Sequence, residues 1–126
     1  MDTTDWTELR EFKAIDLKKS FVLSWEVEAG SLLVDVDLCL CPEHAFYEAP
    51  RPAEGACYRA AIIDFPHCEK AADSAGDTEL ANSLTQLRPG RISGLTRTGE
   101  GEYEIFGEFG RVVIQAERPM VRLKGL

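Results

Sequence analysis

The chain has 126 residues, enough for one domain to bury a sizeable core without disulfides or a structural metal. With 44% apolar and 29% charged residues it is not a disordered chain. Acids outnumber bases 22 to 14, giving a formal net charge of -8, with no basic patch, so nucleic-acid binding is not expected.

The charge is uneven. Residues 1–50 hold 11 acids against 4 bases, whereas residues 51–126 hold 11 against 10. Such an excess keeps a protein soluble and would also favour a basic partner. The opening Met1-Asp2-Thr3-Thr4-Asp5 has neither the basic start nor the apolar stretch of a secretory signal. No apolar run reaches the roughly 18 residues of a membrane span. The expectation is a cytoplasmic protein with no membrane partner, in which Cys39, Cys41, Cys57 and Cys68 are reduced thiols.

Trp6, Leu9 and Phe12 recur at helical spacing behind Asp5, with Glu8 at the offset of a reciprocal cap. This predicts one short N-terminal helix over residues 5–12. The period then changes to two. Phe21, Leu23, Trp25 and Val27 alternate with Val22, Ser24, Glu26 and Glu28, and Leu32, Val34, Val36, Leu38 and Leu40 alternate with Leu33, Asp35, Asp37, Cys39 and Cys41. With Ala29-Gly30-Ser31 between them, the two runs form a hairpin with Trp25 on the Val34 side.

A third strand is expected over Ala56–Phe65, and residues 66–89 read as polar and irregular. The remainder reads as a meander. Gly94 between Ile92 and Leu95 predicts a bulge. Gly99-Glu100-Gly101 suits a three-residue loop that pairs Arg97 with Tyr103 and Leu95 with Ile105. Gly110-Arg111 suits a second tight turn, which would set Phe109 opposite Val112. Pro119 confines Met120–Leu123 to a sheet edge. The fold class that follows is mainly β: an antiparallel meander of about seven strands, forming a small sandwich or a partly closed barrel in one domain.

Three groups of residues invite a chemical reading. Cys39, Cys41, His44 and Cys57 (or Cys68) are zinc-type ligands, but their spacing lacks the paired C-x2–4-C knuckles of known zinc sites. Packing as small hydrophobes is the expected role of these cysteines. Glu26, Glu28, Asp35 and Asp37 fall on the polar side of the first hairpin, where carboxylates are normally wet and keep ordinary acidity. The sequence has no nucleophile elbow, dinucleotide fingerprint or P-loop, and it implies no cofactor.

The third group is the connection from Pro42 to Gly55. It is longer than a hairpin loop, is stiffened by Pro42, Pro50 and Pro52, and runs into Cys57-Tyr58-Arg59. Aromatic and arginine side chains dominate interface energetics. His44, Phe46, Tyr47, Arg51, Tyr58 and Arg59 are therefore the candidate binding residues. The function expected is a non-catalytic protein-binding module, one concrete form of which is an immunity-like or inhibitor-like role against a basic protein. The alternatives are a small metal-dependent or cysteine-based enzyme and a small-molecule-binding barrel.

Overall fold

The computed structural model describes residues 3–49, 56–73 and 89–124. The described residues form nine antiparallel strands: β1 (Thr4–Asp5), β2 (Ile15–Glu28), β3 (Ser31–Leu40), β4 (Cys57–Phe65), β5 (Lys70–Asp73), β6 (Gly90–Gly99), β7 (Glu102–Gly107), β8 (Gly110–Gln115) and β9 (Met120–Leu123). They lie in the order β5-β8-β7-β6-β2-β3-β4-β9, with β1 beside β6, and the sheet does not close. Against the seven strands expected, the additional ones are the very short β1 and the four-residue β5. No described helix is long and apolar enough to cross a membrane.

One narrow seam divides this sheet. β2 and β6 pair only through Phe21–Arg91 and Val22–Gly90. On either side of the seam the sheet folds over, so that β2-β3-β4-β9 faces β6-β7-β8-β5. Trp25 of the first half reaches Phe109 of the second, and Phe65 reaches Tyr103 at 5.6 Å between ring centroids. The core is the space between the halves. It holds Leu17, Val22, Leu32, Val34, Val36 and Ile63 from one side and Ile92, Leu95, Ile105, Val112 and Ile114 from the other, all fully buried.

The first hairpin forms in the expected register, with Trp25 opposite Val34 and Glu28 opposite Ser31. Ala29 and Gly30 both take positive φ, 50° and 81°, as a two-residue type I′ turn requires. The phase of β2 differs from simple alternation. Register shifts fall between Asp16 and Phe21 and between Val22 and Ser24. Val22 and Trp25 are consequently both buried, while Leu23 is 48% exposed and Val27 42% exposed. Each bulge inserts unpaired residues and moves the following side chains to the other face. The buried Ser20 fills the first irregularity. Its hydroxyl donates to the Asp16 carbonyl at 2.8 Å and accepts from the Cys39 amide at 2.9 Å.

The N-terminal helical segment is realised as two 3-10 turns, Trp6–Glu8 and Arg10–Phe12, rather than one α-helix. Asp5 caps the first, its carboxylate accepting from the Thr7 amide at 3.3 Å. Leu9 between the turns is extended, with φ −89° and ψ 121°, which breaks the helical ladder. The same spacing still buries Trp6, Leu9 and Phe12.

In the meander, Arg97–Tyr103 and Leu95–Ile105 pair as expected, and the bulge at Gly94 is present. The loop itself is shorter than read: Gly99 pairs with Glu102 across the turn Glu100-Gly101. The following turn is Glu108-Phe109, not Gly110-Arg111, so Gly107 pairs with Gly110 and Ile105 with Val112. The cause is Phe109, which folds inward from the hairpin tip and is buried on Trp25. β9 does form a sheet edge, on β4. Of the segment read as irregular, Lys70–Asp73 pairs with β8, and residues 74–88 lie outside the described residues.

Candidate functional site

β3 ends at Leu40, and the chain turns back along the N-terminal segment. The Cys41 amide donates to the Ala14 carbonyl at 2.8 Å. Two further turns follow, His44 N–H to Cys41 O at 2.9 Å and Tyr47 N–H to His44 O at 3.0 Å. The Phe46 amide donates to His44 Nδ1 at 3.1 Å, so this nitrogen is the acceptor and a neutral ring carries its proton on Nε2. The arrangement holds the His44 and Phe46 rings 6.0 Å apart. Tyr47 packs, partly buried, on the core.

These two rings border a groove of about 440 Å³ between the second 3-10 turn and β9. Ile15, Val121 and Leu123 line it with aliphatic surface, and Arg10, Glu11 and Lys13 line it with charged side chains. Phe46 is 49% exposed at this groove. A second hollow of about 360 Å³ lies alongside, sharing Arg10, Lys13 and Ile15 and extending to Trp6 and Cys41. Glu11 is held by an ion pair with Arg118 at 3.2 Å.

The other candidate residues lie elsewhere. Tyr58 stands opposite Cys39 on the outer face of β3-β4, where its hydroxyl donates to the Lys19 carbonyl at 2.9 Å and its ring leans on Phe21. Arg59 pairs with Glu48 at 3.1 Å and donates to the Tyr58 carbonyl. Arg51 is outside the described residues. His44, Phe46 and Tyr47 are thus assembled, while Tyr58 ties β4 to β2 and Arg59 is engaged with Glu48. Sequence reasoning missed other residues of the groove lining: Arg10, Glu11, Lys13, Val121 and Leu123. The edge position of Val121 and Leu123 was readable from Pro119, but their approach to the N-terminal turns was not.

The cysteines are four free thiols. Cys39 and Cys57 are buried, the first beside the Ser20 plug and the second in the core. Burial pushes the thiols of Cys39, Cys41 and Cys68 up, which keeps them protonated at neutral pH and poor as nucleophiles. Among the described residues, Cys39, Cys41, His44 and Cys57 form no cluster able to hold a metal ion.

The carboxylates of the first hairpin also separate. Asp35 pairs with Lys124, Glu26 and Glu28 are exposed, and burial raises the Asp37 carboxyl above its usual range. Asp64, on the same outer face, is buried and bonded to Arg122 at 2.9 Å. At the other end of the molecule, Glu69, Glu100, Glu102 and Glu117 line an open hollow of about 370 Å³ with His67.

No protein-family model, curated protein or solved structure matches this chain.

Proposed function

We propose that this chain is a non-catalytic protein-binding module whose contact surface is the groove between His44-Phe46 and β9. The observation that carries the reading is Phe46, half exposed at the mouth of a concavity with an aliphatic floor. Exposed aromatic side chains beside an apolar pocket are the usual anchors of protein interfaces. The local hydrogen bonds of residues 41–47 fix the backbone that carries the ring, so little main-chain ordering entropy is lost when a partner arrives. The formal charge of -8 supports a partner that is basic overall, because long-range attraction speeds encounter before the groove is reached. Four free thiols agree with action in a reducing, cytoplasmic setting.

Placing the photo-crosslinking residue benzoylphenylalanine at position 46, and separately at position 28 on the hairpin tip, tests this in native lysate. The expected result is a discrete adduct from position 46 that weakens at raised salt and is absent from position 28. Identical adducts from both positions, or none from position 46, would overturn the reading.

A further inference from the structure

Between antiparallel strands, hydrogen bonds run only between the opposed residues of alternate pairs. The Lys124 amide donates to the Ala60 carbonyl at 2.9 Å, which makes these two a bonded pair. Counting along the register, Arg122–Ile62 and Met120–Asp64 are bonded pairs too. The amides and carbonyls of Val121 and Leu123 must then point away from β4. Among the described residues β9 has no neighbour on that side. Pro119 has no amide hydrogen, so the donors on this edge begin at Val121.

The side chains of the same two residues line the groove beside Ile15 and Phe46. A strand laid along the outer edge of β9 would send every second side chain toward this surface. What those side chains should be is set by the charged residues of the N-terminal turn that line the same groove. Arg10 and Lys13 are both exposed there, and neither forms an ion pair among the described residues. Glu11, the one acid between them, is already bonded to Arg118. In a chain of net charge -8 this part of the groove is locally cationic.

We infer that β9 accepts an extended segment of a partner protein as an added strand, pairing with Val121 and Leu123. An aliphatic side chain of that segment packs over Ile15 and Phe46, and a carboxylate lies between Arg10 and Lys13. Main-chain bonds supply affinity in this mode of recognition, and pockets for alternate side chains supply selectivity. The inference rests on the groove being the contact surface proposed above. A partner that is basic overall can still present one carboxylate here, since local pairing and long-range steering act over different distances.

The test is selection of a displayed library of random octapeptides against the intact chain. Enriched peptides are expected to alternate aliphatic with polar residues and to carry Asp or Glu two positions from an aliphatic one. Val121→Pro removes an outward amide and leaves the bonded pairs with β4 in place; it should weaken these peptides about tenfold or more. N-methylation of the peptide amides that face β9 should do the same without altering the protein. Reversing this charge with Arg10→Glu and Lys13→Glu should shift selection to Lys or Arg. If peptides are lost with Phe46→Ala but unaffected by Val121→Pro and by N-methylation, strand addition is overturned while the groove remains the contact surface. If Phe46→Ala leaves their binding unchanged, the groove reading fails and this inference with it.

Discussion

Trp25 meets Phe109 edge-on, with 5.3 Å between ring centroids and 71° between planes, across the gap between the two halves of the sheet. One ring comes from the β2-β3 hairpin and the other from the tip of β7-β8, so the contact holds together parts of the sheet joined elsewhere by a two-pair seam. Phe109→Ala should therefore destabilise the fold by about 3 kcal/mol, the order expected for a large buried aromatic. Urea denaturation followed by tryptophan fluorescence measures it. A loss below about 1 kcal/mol, the range of ordinary surface changes, would show that the halves hold together without this contact.

Gly107 and Gly99 should respond oppositely to the same methyl group. A Cβ on Gly107 would overlap the Arg91 carbonyl oxygen and approach Phe109 Cε2 to 2.9 Å. The clash is partly with backbone and cannot be relieved by a rotamer change. Beside Gly99 the nearest atom would be Glu102 Oε2 at 3.7 Å, an ordinary contact. Gly107→Ala is expected to cost about 2 kcal/mol or more, and Gly99→Ala to stay within about 0.5 kcal/mol. Thermal melts of the two variants side by side give the comparison.

Asp37 lies opposite Phe21 and Ala60, and burial raises its carboxyl above the usual aspartate range. A carboxyl whose pKa is raised binds its proton more tightly in the folded chain than in the unfolded one. Its contribution is therefore favourable at low pH and is lost as pH rises from about 4 through the folded value. Asp37→Asn should be more stable than the parent at neutral pH, with the advantage disappearing below about pH 4. Melting temperatures across pH 3–8 would show it; a constant difference at all pH values would mean that the gain has another origin.

The thiols should divide by accessibility. Cys41 and Cys68 are partly exposed but burial raises their pKa, whereas Cys39 and Cys57 are buried. Ellman's reagent at pH 8 should give slow reaction of the first two and none of the second two until denaturant is added. Fast labelling of Cys39 or Cys57 in the native protein would contradict the packing around Ser20 and Leu40.

Much of this fold was legible because pairing registers are set locally. Trp25 opposite Val34, and Leu95 opposite Ile105, follow from the turn between each pair and from side-chain alternation. Where alternation is broken by something distant, the sequence misleads. The double bulge of β2 is supported by Ser20 on Cys39, 19 residues away, and the tip of β7-β8 is drawn inward by Trp25. The candidate site divides in the same way. His44, Phe46 and Tyr47 are placed by bonds spanning two or three residues. The charged part of the groove lining is joined by Glu11 and Arg118, 107 residues apart, and no local pattern encodes that meeting.

The seam between β2 and β6 also bears on how the chain reaches its native state. β4 obtains its outer neighbour from a segment 58 residues further on, as Arg122 and Asp64 show, and β1 must wait for β6 before it can pair at all. Few of these strands can satisfy their edges with what lies next to them in the chain. Closing such large loops early is entropically costly, so assembly should fall in the slow range for its size, on the order of milliseconds to seconds. Until β9 docks, the Ile62 and Asp64 amides of β4 remain open to pairing with another molecule, which makes that interval the one most exposed to aggregation.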